Sequence, residues 1–167
     1  MRKRKLSRAM MALSLVIGVL LLAPLASSLP TGIGGSSIQT AGCNCHNSVA
    51  DSSVAANIEG FPEEYNASET YELTISFDGG PSQPGNINLG GFNLWASEGA
   101  FTPTDGLTSL WAGSVNEVVH TEAGNDYTSW VVDWTAPESG KEVDFILHVN
   151  SVNGDGLQTG QLDQWNR

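Results

Sequence analysis

Three stretches of the chain alternate apolar and polar residues with a period of two. In Glu69–Phe77, the side chains of Tyr71, Leu73, Ile75 and Phe77 share one face, with Glu72 and Thr74 on the other. In Thr128–Pro137, Trp130, Val132 and Trp134 alternate with Val131 and Asp133. In Lys141–Asn150, Val143, Phe145, Leu147 and Val149 alternate with Asp144, Ile146, His148 and Asn150. This period belongs to strands with one face buried. Weaker runs of the same kind lie at Val54–Ile58, Gly91–Ala96 and Asn116–Thr121. The connectors are turn chemistry, as in Asp78-Gly79-Gly80-Pro81 and Asn153-Gly154-Asp155-Gly156. Six or seven short strands punctuated in this way predict an all-β chain, an antiparallel immunoglobulin-like β-sandwich. Its Trp residues are expected to pack between the sheets.

The first 28 residues follow another pattern. Arg2, Lys3, Arg4, Lys5 and Arg8 precede an apolar run from Ala9 to Leu25, which ends in Ala26-Ser27-Ser28. That order predicts a secretory signal peptide or a retained membrane anchor over residues 1–28. Residues 29–52 read as a flexible spacer, Gly- and Ser-rich in Pro30–Thr40, that carries a Cys-x-Cys-His element. Residues 53–167 are the predicted sandwich, which makes the chain extracytoplasmic, secreted or anchored at the cell surface. Asn66-Ala67-Ser68 is a glycosylation sequon, compatible with export.

Charge sharpens this picture. Beyond the leader only Lys141 and Arg167 are basic, against eighteen Asp and Glu, for a net charge of −16. Such a field excludes nucleic acid and anionic lipid surfaces as partners, so membrane contact is expected only through the N-terminal helix.

The one dense cluster of reactive side chains is Cys43-Asn44-Cys45-His46, which holds both cysteines of the chain. A Cys-x-x-Cys-His run attaches haem c through two thioethers, with the His as iron ligand. Here the spacing is one residue shorter, which shifts the sulfurs relative to the vinyl groups. Met1, Met10 and Met11 all lie in the leader, so a second axial ligand falls to His120 or His148. His148 stands opposite the strongest apolar face of its strand, and His120 is the preferred partner. Cys43, Cys45, His46 and His120 also suit a zinc or copper ion as four ligands. A strained Cys43–Cys45 disulfide is a third reading. Lipidation at Thr40-Ala41-Gly42-Cys43 is a fourth, set far from the apolar run. In the last loop Asn150, Asn153, Asp155 and Asp163 offer oxygen ligands for calcium, although Asn-Gly and Asp-Gly steps are ordinary turns. No Gly-x-Ser-x-Gly elbow or phosphate-binding glycine loop is present, and no enzyme is predicted.

The order of these motifs resembles the choice-of-anchor V domain of bacterial and archaeal surface proteins, a family related to the Reeler (reelin-type) domain. The resemblance runs from Gly42 to Asp155. It is carried by GCNCHNS, the strand in Glu64–Phe77, GGFNLWAS at Gly90–Ser97, VVHT at Val118–Thr121, TSWVVDWTAP, and the closing strand and NGDG loop in Val143–Gly156. It implies a secreted or surface-anchored β-sandwich with a single haem site at the Cys/His element and His120 as its partner ligand. The chain departs from the family in its shortened Cys spacing. It departs again at Gly160-Gln161-Leu162-Asp163, where a Gly-Asp pair is expected, and in ending at Arg167 without an apolar tail.

Two functions are therefore expected. The first is a surface module that contacts cell-envelope proteins or glycans, with Trp95 or Trp111 as an exposed aromatic patch and a haem or metal at the Cys/His element. The alternative is an extracytoplasmic monohaem electron carrier ligated by His46 and His120.

Overall fold

The structure is a computed structural model that describes residues 30–83, 85, 87–155 and 162–167. The predicted signal or anchor lies outside the described residues. Among these residues, no helix is long and apolar enough to cross a membrane.

The strands are β1 (Val54–Glu59), β2 (Thr70–Gly79), β3 (Gly90–Ala96), β4 (Ala100–Pro103), β5 (Thr108–Leu110), β6 (Glu117–His120), β7 (Ser129–Thr135), β8 (Phe145–Ser151) and β9 (Gln164–Asn166). They form two antiparallel sheets, one in the order β1-β2-β7-β4 and the other in the order β5-β6-β3-β8-β9. All six runs of alternating residues become strands. The short strands β4, β5 and β9 have three or four residues each, too few to set up a period.

The two inner faces make the core. Leu73, Ile75 and Phe77 of β2 and Trp130, Val132 and Trp134 of β7 meet Phe92 and Leu94 of β3, Val118 of β6 and Leu147 and Val149 of β8. Aromatic rings lock the sheets together: Phe92 lies 4.8 Å from Trp130, and Phe145 lies 5.0 Å from Trp134. Trp130 and Trp134 are each 1% exposed, and Trp130 Nε1 donates to the Gly124 carbonyl at 2.8 Å. Packing between sheets thus accounts for the β7 tryptophans.

The outer face of the five-stranded sheet departs from the alternating pattern. Asn93, Glu117, His148 and Asn150 point away from the core by strand parity, yet all are buried. Residues 30–47 cover them. The Gly32 N–H donates to the His120 carbonyl, and Trp165 Nε1 donates to the Asn47 carbonyl at 2.7 Å. A helix, α1 (Ser36–Ala41), crosses near β8. The composition that reads as a flexible spacer therefore belongs to a packed strap. Its glycines allow close approach: a Cβ on Gly42, at φ 68°, would lie 2.3 Å from the Trp165 ring.

Leu94 has no exposed surface between the sheets. Leu94→Ala is expected to cost about 2–5 kcal/mol in guanidinium unfolding. Val115→Ala, at a residue 57% exposed, should stay within about 0.5 kcal/mol of the parent. Comparable losses in the two variants would contradict this assignment of the core.

Candidate functional site

Between the strap and the outer face of the five-stranded sheet lies a pocket of about 560 Å³. Cys43, Cys45, His46 and His120 all line it, and so do Asn153 and Asp155 of the last loop. Side chains from opposite parts of the chain thus share one volume. Gly91 on β3 makes room for the His120 ring that lines this pocket. A Cβ there would lie 2.1 Å from the His120 ring, so the missing side chain is the space in which the imidazole rests.

The two imidazoles are anchored differently. His46 Nδ1 lies 2.8 Å from Asp163 Oδ2. Asp163 is 2% exposed, and its Oδ1 accepts the Asn153 N–H at 3.0 Å. The carboxylate accepts, so Nδ1 is the donor, and in the neutral ring the lone pair is left on Nε2. His120 Nδ1 instead lies 3.1 Å from the Phe92 N–H and 3.3 Å from the Phe92 carbonyl. A strand N–H needs an acceptor, and the His120 carbonyl is already engaged by Gly32. Nδ1 is thus the acceptor, and the neutral ring holds its proton on Nε2. Burial pushes the His120 pKa down to about 4. The Phe92 backbone opposes that shift, and the charged form of nearby His46 adds to it.

Cys43 is half-buried, and both cysteines are free thiols without a bridge between them. Burial, with a smaller contribution from Cys45, pushes the Cys43 thiol up to about 12. It is therefore neutral at physiological pH and not a ready nucleophile. Among the described residues, no three His, Cys, Asp or Glu side chains are grouped to hold a metal ion. Asn153 and Asp155 engage each other: Asn153 Oδ1 accepts the Asp155 N–H at 3.1 Å, and its Nδ2 donates to Asp155 Oδ2 at 2.9 Å. This is turn chemistry.

A haem can be tested against these residues. The Cys spacing is one short. To ligate iron through Nε2, His120 would have to carry its proton on Nδ1, where the Phe92 carbonyl lies 3.3 Å away. Among the described residues, no Lys or Arg lines the pocket to receive propionates. As placed, the residues do not fit a haem held by both thiols and both imidazoles. His148 has no exposed surface, lies 6.1 Å from the Trp165 ring and does not line the pocket.

Sequence reasoning missed Asn93, Glu117 and Trp165. Glu117 Oε1 accepts the Gly35 N–H at 2.7 Å and Asn93 Nδ2 at 2.8 Å, tying the strap to β3 and β6. Polar residues on the alternate face of a strand read as a solvated face, and nothing in the sequence marks the strap that covers them. Trp95 and Trp111 are half-buried, so the expected aromatic patch is not exposed.

Solved structures similar to this chain are reelin-type domains. The Reelin-N domain of F-spondin matches with a TM-score of 0.46 and 21% identity, over 70% of this chain and 86% of that one. Two fragments of the human F-spondin reeler domain match with TM-scores of 0.43 and 0.45 and identities of 20% and 19%. They cover 68% and 70% of this chain and 90% and 89% of their own. No family model matches the chain, and no curated protein matches it.

The depressed His120 pKa has a thermodynamic consequence. The unfolded chain takes up this proton near pH 6.5, the folded ring only near pH 4. Between these values the unfolded state binds more protons, so stability falls as pH drops from about 6.5 to about 4 and is fully present above that window. His120→Gln is expected to flatten the slope of unfolding free energy against pH in this range, measured by guanidinium midpoints. Equal slopes in the parent and the variant would show that the ring is not buried as described.

Proposed function

We propose that the chain is an extracytoplasmic β-sandwich module that works at the cell envelope by holding a small ligand between its N-terminal strap and the outer face of its five-stranded sheet. The pocket carries this reading. Cys43, Cys45, His46 and His120 come from two distant segments and line one volume of about 560 Å³, within the range of small-molecule sites. The leader supports export. The neutral Cys43 thiol is not an activated nucleophile, which favours binding over catalysis. A net charge of −16 beyond the leader favours envelope proteins with basic surfaces as partners. An aromatic glycan platform is disfavoured because Trp95 and Trp111 are half-buried.

The electron-carrier alternative needs His120 to shift its proton to Nδ1 and two sulfurs to reach haem across a shortened spacing. The test is intact mass together with a visible spectrum on protein exported by a host competent for cytochrome maturation. The expected product is colourless, has no haem-sized mass increment and shows two thiols that a maleimide labels after unfolding. A Soret band with a haem-sized increment would overturn this reading in favour of a cytochrome.

A further inference from the structure

Two residues that line the pocket each carry a buried acceptor that nothing in the described chain satisfies. Asn93 is 2% exposed, and its Nδ2 donates to Glu117 Oε1. A carboxylate accepts only, so the orientation of this amide is fixed and Oδ1 is turned away from Glu117. That Oδ1 is buried without a partner. Asn150, 7% exposed, has an Oδ1 in the same condition. Both residues line the pocket.

The sheet register places them on the face that Gly91 shares. Asn150 pairs with Gly91, and Asn93 pairs with His148, so the two amides are diagonal neighbours on one face. Such neighbours lie about 7 Å apart, a span bridged by a group with more than one N–H. A buried acceptor left unpaired is costly, and a donor supplied by a ligand removes that cost. Charge narrows the class further. Among the described residues, the lining contains Asp155 and Asp163 but neither Lys nor Arg, and the chain beyond the leader is strongly acidic. Anions are repelled from such a cleft and cations concentrated in it. Ile33, Ile38, Phe92 and Val152 supply an apolar wall.

We propose that the pocket binds a small organic nitrogen cation bearing several N–H donors on an apolar body, with the amide oxygens of Asn93 and Asn150 accepting its hydrogen bonds. This rests on the pocket being a ligand site, as proposed above. It names for that site a class of ligand opposite in charge to a haem propionate.

The test is calorimetric titration of the exported protein with benzamidine, benzamide and benzoate, a cation, a neutral molecule and an anion of nearly one shape. Benzamidine is expected to bind at least tenfold tighter than benzoate. Asn150→Leu should weaken benzamidine at least tenfold while leaving the thermal midpoint unchanged or higher, because it removes an unpaired buried acceptor. A merely structural Asn150 would lower the midpoint instead. Equal affinity for all three probes, lost in Gly91→Val, would keep the ligand site and overturn the cation. Unchanged benzamidine affinity in Asn150→Leu would also overturn the proposal and leave water alone as the partner of the amides. Binding of none of the three would overturn both the cation and the ligand site.

Discussion

Glu117 is 4% exposed on the outer face of the five-stranded sheet, where a carboxylate persists only if its oxygens are met by donors. One donor is Asn93 Nδ2, from the neighbouring strand β3. The other is the Gly35 N–H, from the strap eighty-two residues earlier in the chain. The second contact joins the N-terminal segment to the sandwich. It holds the strap over β6 so that Gly32 reaches the His120 carbonyl. At the other end of the strap, His46 reaches the buried carboxylate of Asp163. Two buried carboxylates thus fix two ends of one covering segment, and the pocket is the space left between them.

The chemistry of the pocket follows from how the sheet ends beneath it. Gly91 gives up a side chain where His120 needs room. The Phe92 N–H then sets the tautomer of that ring. The result is one imidazole held by a carboxylate, one held by a backbone N–H, a neutral thiol and two unpaired amide oxygens. This set binds by hydrogen bonding more readily than it ligates iron. The chemistry of this pocket therefore departs from a Cys-x-x-Cys-His haem site at the shortened Cys spacing.

The sandwich was legible in the chain because β2, β7 and β8 bury one face against an apolar core and leave a period of two in the sequence. The burial of Trp130 and Trp134 follows from that period. The strap was not legible. Gly32, Gly34 and Gly35 look like linker composition, since a sequence shows that a residue is small but not what it lies against. Asn93 and Asn150 were hidden for a related reason. On the alternate face of a strand, a polar side chain signals solvent unless something distant covers it. Cys43, Cys45, His46 and His120 could be named as candidates from residue type alone, and the structure adds that they line one pocket. The opposite tautomers of the two histidines depend on Asp163 and on a backbone N–H, and neither partner is visible from spacing.

The packed strap is the claim on which the pocket depends, and hydrogen exchange at single amides tests it most directly. The Gly32 and Gly35 N–H groups are bonded to the His120 carbonyl and the Glu117 carboxylate. Their exchange should therefore be slowed to the same order as that of the β3 and β8 amides beneath. Exchange of both at the rate of an unstructured peptide would show that residues 30–47 are a loose linker and that the covered face, with its pocket, does not exist in solution.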